Sequence, residues 1–292
     1  MKQGTIIKII SNQYTIENEE EKVVAAPRGK MRRSKAPMVG DHVEYEKVQD
    51  SYRILEILPR KNQLLRPTVA NVDQALVVTS CKDPDFSERL LNRLLFVVEL
   101  SNVEPIICIT KWDLASEQER KTIEAYLAVL KNCGYTIVYS YPGSDDQALK
   151  AVLKDKVSVL CGQSGAGKSS LLNRLDPSFQ LQTQEISKAL GRGKHTTRYS
   201  ALHEVAGGLV ADTPGFSSLD FSNFDLKHLD AHLKAFAPYI GSCRFADCNH
   251  INEPDCHVKL AVEEGKIPLA YYEDYKALKE ESLNRKVFYG KE

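Results

Sequence analysis

Three observations predict an α/β core flanked by an all-β segment on one side and a mainly helical segment on the other. Residues 1–65 hold five short strand-like runs separated by turn residues. Residues 66–222 alternate strand-like and helix-like stretches around a glycine loop that follows an apolar strand and opens a helix. Residues 223–292 carry three cysteines and a histidine within fourteen positions, flanked by helical periodicity. A chain of 292 residues, 42% of them apolar, is long enough for two or three domains with a sizeable core. Its 39 basic and 39 acidic residues cancel, so affinity for a polyanion has to come from a local patch. No apolar run approaches a membrane span, and Met1-Lys2-Gln3-Gly4 leads directly into a strand-like segment. The expectation is a soluble cytoplasmic protein with no membrane partner, and a monomer by default. Of seven cysteines, Cys81, Cys108, Cys133 and Cys161 are scattered among apolar neighbours, which fits buried thiols better than disulfides.

In the first segment the runs at 5–10, 13–16, 21–26, 42–46 and 53–58 alternate or cluster β-branched residues between turns. Five strands in this length suggest a small antiparallel barrel of the OB-fold type. Between the third and fourth runs stand Arg28, Lys30, Arg32, Arg33 and Lys35, five cations in eight residues. Such a cluster can neutralise phosphates, which makes it a candidate RNA-binding face; a solvated hairpin would carry the same charge. Tyr14, Tyr45 and Tyr52 are the only aromatic residues of the segment, so backbone and shape contacts are expected rather than stacked bases.

The central segment predicts strands at 73–79, 104–110 and 135–139 and helices at 87–100 and 116–131. This alternation implies a parallel sheet with ligands at the carboxyl ends of its strands. The strand at 156–161 then runs into Gly162-Gln163-Ser164-Gly165-Ala166-Gly167-Lys168-Ser169, followed by Ser170 and a helix-forming stretch to Leu175. This is G-x-x-x-x-G-K-S in the strand–loop–helix setting that a phosphate-binding loop needs. Glycines let successive N–H groups turn inward at a phosphate, Lys168 reaches the outer phosphates, and the Ser169 hydroxyl can ligate Mg²⁺. At the end of the strand 104–110 stands Thr110-Lys111-Trp112-Asp113, an N/T-K-x-D run with threonine in place of the commoner asparagine. In such a run the carboxylate accepts from the ring N–H and exocyclic amine of guanine, and the lysine stem packs on the base. Adenine offers no such pair of donors, so discrimination is strong.

Downstream, Thr196 and Thr197 are candidates for the hydroxyl that closes on Mg²⁺. Asp212-Thr213-Pro214-Gly215 fits D-x-x-G, with Asp212 in the magnesium shell and the Gly215 N–H at the γ-phosphate. Ordinary GTPases run phosphate loop, threonine switch, D-x-x-G and then N/T-K-x-D. Here the guanine-reading run comes first, which one sheet can accommodate only as a circular permutation.

In the last segment, Cys243-x4-Cys248-x-His250-x5-Cys256 offers three thiolates and one imidazole. This donor set suits tetrahedral Zn²⁺ with all four positions filled by protein, hence a structural ion, one per chain. His257 is the alternative histidine ligand. Helical stretches are expected at 226–236 and 271–286.

With those residues in place the chain resembles the ribosome small subunit-dependent GTPases, the RsgA family of bacterial circularly permuted GTPases that act late in small-subunit maturation. The resemblance covers essentially the whole length. It is carried by Pro27-Arg28-Gly29-Lys30, Arg66-Pro67, 70–74, Thr110 to Asp113, Gly162 to Ser170, Gly193-Lys194-His195-Thr196-Thr197, 212–216 and the cysteine cluster. It implies a circularly permuted P-loop GTPase domain between an N-terminal OB-fold that contacts ribosomal RNA and a C-terminal zinc-binding, mainly helical domain. It also implies GTP hydrolysis that is slow alone and stimulated by the small subunit. Many GTPases follow D-x-x-G with a glutamine that orients water, whereas this chain has Phe216, which can neither donate nor accept. His195 is the candidate catalytic group, since the resemblance implicates a histidine at this position. Two other classes fit parts of the pattern: a non-catalytic RNA-binding scaffold, and an ATP-dependent P-loop enzyme, which Asp113 disfavours.

Overall fold

The first residues close a barrel. In the computed structural model, which describes residues 1–10, 12–27, 36–65, 67–177, 199–211, 221–222 and 224–285, the opening strands are β1 (Lys2–Ile10), β2 (Gln13–Glu17), β3 (Lys22–Pro27), β4 (His42–Val48) and β5 (Ser51–Ile57). Their pairing runs β1-β2-β3-β5-β4 and returns from β4 to β1, the closed five-strand order of an OB-fold. Alternation supplies the core: one side chain in two of β2 and β3 turns inward, and Ile6, Tyr14, Ile16, Val23, Ala25, Val43, Tyr45 and Ile54 pack together. Beneath the barrel Asp41 and Arg60 form a buried pair, Nε to Oδ1 at 2.6 Å and a second nitrogen to Oδ2 at 2.8 Å. A two-stranded ribbon of β6 (Gln63–Leu65) and β7 (Thr68–Ala70) follows.

The remaining strands are β8 (Gln74–Ser80), β9 (Glu104–Thr110), β10 (Thr136–Ser140), β11 (Val157–Cys161), β12 (Tyr199–Val205) and β13 (Gly208–Ala211). The helices are α1 (Glu88–Leu100), α2 (Glu117–Asn132), α3 (Gln147–Leu153), α4 (Lys168–Leu175), α5 (Leu229–His232), α6 (His257–Glu263) and α7 (Leu269–Arg285). Two compact units emerge. One comprises Met1–Ala75, Asp145–Cys161 and Lys168–Phe216; the other comprises Leu76–Ser144, Gly162–Gly167 and Ser217–Glu292.

In the first unit β11 pairs with β13 in parallel, β13 with β12 antiparallel, and β12 with β1 antiparallel, so the barrel continues into a strand of the central segment. Within this unit the Gln74 amide donates to Ser158 Oγ at 3.0 Å and to the Val152 carbonyl at 2.6 Å. In the second unit the strand order is β10-β9-β8, with β10 parallel to β9. Every residue of β8 is buried, as expected for a strand covered on both faces. Ser87 caps α1 and a Ser116–Glu119 capping box starts α2.

The predicted helix over 226–236 is broken into a single 3-10 turn (Leu226–His228) and α5. Leu226, Leu229, Leu233 and Phe236 are spaced as if on one helix face, and all four are buried. Leu233 nevertheless turns extended, which lets the Lys234 N–H donate to Glu99 Oε1 at 3.1 Å. Phe236 then packs its ring on Tyr271 and Tyr275 of α7.

Glu99 lies wholly within this core, accepting from the Tyr135 hydroxyl at 2.7 Å, with the Tyr271 hydroxyl at 3.4 Å. Burial pushes its carboxyl from 4.5 up to about 8, outweighing the Tyr135 and Lys234 hydrogen bonds that act the other way. Below pH 4.5 both folded and unfolded chains hold the proton, whereas between 4.5 and about 8 only the folded one does. Stability therefore falls as pH rises through this window, by at most about 1.4 kcal/mol per pH unit. Glu99→Gln keeps the acceptor and leaves an amide to face Tyr271. Its thermal midpoint should vary less than the parent's across this window and exceed it at the alkaline end. Parallel melting curves for the two proteins would refute this.

Candidate functional site

Between β11 and α4 the backbone takes the conformations that the glycine spacing predicts. Gly162, Gly165 and Gly167 all have positive φ, at 138°, 80° and 89°. At Gly162 a Cβ would lie 2.1 Å from the Val78 carbonyl oxygen, so the loop leaves its strand through a gap only a hydrogen can occupy. Lys168 is the first residue of α4, half-buried, and its pKa is lowered from 10.5 by burial, with Cys161 acting in the opposite sense. Ser169 and Ser170 are exposed in the first turn of that helix. Glycine loops and helix starts are each features that bind anions in general.

The Thr110 run lies against this loop. Thr110 is buried at the end of β9, and its hydroxyl donates to the Ala166 carbonyl at 2.6 Å, 56 residues away in sequence. Gly167 comes so near that an added Cβ would be 3.6 Å from Thr110 Oγ1. Threonine, in place of the commoner asparagine, thus ties the run to the loop through its hydroxyl. Lys111 has a left-handed φ of 53°, and its ammonium donates to the Asp83 carbonyl in the loop after β8. Trp112, Asp113 and Leu114 form a 3-10 turn with the Asp113 side chain exposed. The glycine loop and the Thr110 run are thereby neighbours, and the Asp113 carboxylate faces solvent.

The sequence reading overlooked the end of β10. Ser140 is buried and stands in register with Thr110, which brings the turn at 141–144 to the same strand ends. Ser144 Oγ closes that turn, accepting from the Tyr141 N–H at 3.0 Å and donating to its carbonyl at 2.7 Å. The run Ser140-Tyr141-Pro142-Gly143-Ser144 after a buried strand was the available signal. Arg28, Lys30, Arg32, Arg33, Lys35, His195, Thr196, Thr197, Asp212 and Gly215 lie outside the described residues.

A second site stands in the last segment. One ligand atom from each of Cys243, Cys248, His250 and Cys256 lies within 4.8 Å of the other three. Cys243 Sγ is 3.9 Å from Cys256 Sγ and 3.6 Å from His250 Nδ1, which is 3.4 Å from Cys256 Sγ. Bond lengths of about 2.3 Å to sulfur and 2.0 Å to nitrogen in a tetrahedron require separations of roughly 3.5 to 3.8 Å, so the donor set fits a metal ion of that kind. His257 begins α6 and is not one of the four. On its other side His250 Nε2 is 3.9 Å from Asp230 Oδ2, and Asp230 Oδ1 accepts from Lys279 at 3.0 Å. The loop is also tied to α7: the Tyr272 hydroxyl donates to the His250 carbonyl at 2.7 Å and the Tyr275 hydroxyl to the Asn249 carbonyl at 2.8 Å. Glu253 accepts from the N–H groups of Asn249, Ile251 and Asn252. Burial works to raise its carboxyl, yet these bonds hold it down at about 2.

The RsgA GTPase family profile matches residues 57–222, and the RsgA N-terminal domain profile matches residues 3–53. The small ribosomal subunit biogenesis GTPase RsgA of Bacillus cytotoxicus is 45% identical over 296 aligned positions, which cover 99% of this chain and 100% of that protein. Its namesake in Staphylococcus epidermidis is 42% identical with the same coverage. Among solved structures, YloQ, a circularly permuted GTPase, superposes with a TM-score of 0.83 at 38% identity, covering 98% of this chain and 96% of that one. YjeQ from Thermotoga maritima superposes with a TM-score of 0.84 at 35% identity, covering 97% and 98%. A Thr110-Lys111-Trp112-Asp113 run placed before the glycine loop, a closed five-strand barrel and full-length likeness to these proteins make this chain a member of the RsgA GTPase family.

Proposed function

We propose that this protein binds the small ribosomal subunit and acts in its late maturation, hydrolysing GTP to GDP and phosphate slowly alone and faster on the subunit. The observation that carries the nucleotide half of this reading is the Thr110 hydroxyl bonded to the Ala166 carbonyl, which sets a base-reading turn beside a phosphate loop. The subunit half rests on the relatives, whose names state that role. In this reading Gly162, Gln163, Ser164, Gly165, Ala166 and Gly167 wrap the phosphates with Lys168, Ser169 and Ser170. Thr110, Lys111, Trp112 and Asp113 hold the guanine. Ser169, one of Thr196 and Thr197, and Asp212 would hold Mg²⁺, which when bound would supply positive charge to the phosphates. The Gly215 N–H meets the γ-phosphate. The division is into a barrel over 1–65, a GTPase domain over 66–222 and a zinc domain over 223–292. Arg28, Lys30, Arg32, Arg33 and Lys35 contact 16S rRNA phosphates, and the Cys243, Cys248, His250 and Cys256 ion is structural Zn²⁺. The protein works in the cytoplasm as a monomer; among the described residues no helix is long and apolar enough to cross a membrane.

Phosphate release from GTP and from ATP, with and without purified small subunits, tests the proposal. Subunit-stimulated GTP turnover supports it. Binding without turnover would favour a nucleotide-shaped scaffold, and a preference for ATP would overturn the guanine assignment. Within the same assay His195→Ala is expected to lower stimulated turnover by about tenfold or more while GTP affinity holds, because a positioned acid–base group acts on the chemical step. Unchanged turnover would remove His195 from the reaction.

A further inference from the structure

The turn that presents Asp113 is held from outside the motif. It is entered through a left-handed Lys111 and closed by two short-range bonds, Leu114 N–H to the Lys111 carbonyl at 3.1 Å and Ala115 N–H to the Trp112 carbonyl at 3.3 Å. A non-glycine residue in that conformation persists only where its surroundings define it. Those surroundings include Arg120, from the second turn of α2. Its Nε donates to the Trp112 carbonyl at 3.1 Å and a terminal nitrogen donates to the Asp113 carbonyl at 3.3 Å. Its guanidinium carbon stands 5.7 Å from the Trp112 ring centroid, and that ring packs edge-on against Tyr139 of β10 at 5.2 Å.

The helix that carries Arg120 is itself anchored. Glu119 accepts from the Ser116 N–H at 2.8 Å, from the Ser116 hydroxyl at 2.7 Å and from Lys82 Nζ at 2.8 Å. Lys82 comes from the same loop as Asp83, whose carbonyl takes the Lys111 ammonium. The fork of Arg120 therefore reaches back from a fixed base to the two peptide units on either side of the Asp113 Cα.

We propose that Arg120 is a positioning residue for guanine recognition, holding the Trp112 and Asp113 carbonyls so that both oxygens of the Asp113 carboxylate stay aimed at the base. This rests on the assignment of Asp113 as the base-reading carboxylate. Two parallel hydrogen bonds, to the ring N–H and to the exocyclic amine, need the carboxylate in the plane of the base. A turn that rocks keeps the nearer bond and loses the other. A planar guanidinium bonded to consecutive carbonyls stops the rocking, because it fixes direction as well as distance. Arg120 thus sets how strongly guanine is preferred over hypoxanthine, which retains the ring N–H and lacks the amine.

The test is the ratio of dissociation constants for IDP and GDP, measured on the full chain for the parent, Arg120→Met and Asp113→Asn. Methionine keeps an apolar stem against Trp112 and removes every donor. The parent should favour GDP, and Arg120→Met should shrink that preference by about fivefold to tenfold, the worth of one directed hydrogen bond. A ratio is read from folded molecules only, so partial unfolding of the variant does not imitate the effect. An unaltered ratio in Arg120→Met overturns the proposal, even if both affinities fall, since it would leave Arg120 a merely structural support. Asp113→Asn checks the underlying assignment separately: it should weaken GDP and gain xanthosine diphosphate, whose 2-oxo group accepts from an amide. If Asp113→Asn binds GDP as the parent does, the base-reading assignment fails, whatever Arg120→Met shows.

Discussion

Replacing Gly162 by alanine is expected to abolish nucleotide binding. The residue sits at φ 138°, a region closed to residues with a Cβ, and the added carbon would fall 2.1 Å from the Val78 carbonyl oxygen and 3.1 Å from its carbon. Neither atom can step aside, because both belong to the backbone of β8, where every side chain is buried. The loop has to move instead, and with it the N–H groups proposed to face a phosphate. A loss of at least a hundredfold in GDP affinity follows, together with a stability loss of about 3 kcal/mol or more. Gly143 offers the control within the same protein: it too has a positive φ, but a Cβ there meets nothing within 4 Å, so its alanine variant should cost only the backbone strain of about 1–2 kcal/mol. Titration of GDP into both variants, with thermal melts, checks the contrast. Near-parental GDP affinity in Gly162→Ala would mean that this backbone approach does not shape the binding loop.

Removing the metal is expected to have the largest effect on stability. Three thiols and an imidazole within 4.8 Å of one another, with Cys243, His250 and Cys256 at 3.4 to 3.9 Å, are not a packing arrangement that the chain would adopt for its own sake, since thiolates at that range repel unless a cation lies between them. Structural zinc contributes about 10–16 kcal/mol of apparent binding energy in small peptides, so even a fraction of that figure is comparable to the whole stability of a domain. The site is stitched to the core through Tyr272 and Tyr275, and beyond them through Phe236 to Tyr271 and Phe96. Its collapse should therefore reach residues far from the ligands. Cys256→Ser, or a chelator added to the parent, should release one equivalent of metal per chain, expose the amides of 243–256 to hydrogen exchange and lower the melting temperature by about 10 °C or more. A parent protein that holds no metal, or a Cys256→Ser variant that melts with the parent, would sink this prediction.

Much of the architecture was legible because it is written locally. Serine at 87 and at 116 marked helix starts that Leu90 and Glu119 N–H groups complete. The alternation in 13–16 and 21–26 pointed one face of each strand inward, and those faces form the barrel core. The elements that escaped notice are ones whose stability comes from elsewhere. β12 has a mixed sequence, Tyr199-Ser-Ala-Leu-His-Glu-Val205, and is a strand because β13 lies on one side of it and β1 on the other. α3 has seven residues and no side-chain cap. The stretch at 226–236 failed as one helix because Glu99 and α7 hold Lys234 and Phe236 where a continued helix could not place them.

The candidate site divides along the same line. Glycine spacing around 162–167, the Thr110 run ahead of it and the cysteine–histidine spacing at 243–256 are each readable within a dozen or so residues, since backbone freedom, a paired acceptor and ligand geometry are properties of short segments. No short segment contains the bond from Thr110 to Ala166, the fork of Arg120 on the Trp112 and Asp113 carbonyls, or the tyrosines that hold the metal loop. Those depend on how strands register and where a helix axis comes to rest, so they exist only once the buried surfaces have packed. Residue order along the chain determined the chemistry on offer; the tertiary structure decided which groups stand close enough to act together, because hydrogen bonds and coordination lose their strength within a fraction of an ångström.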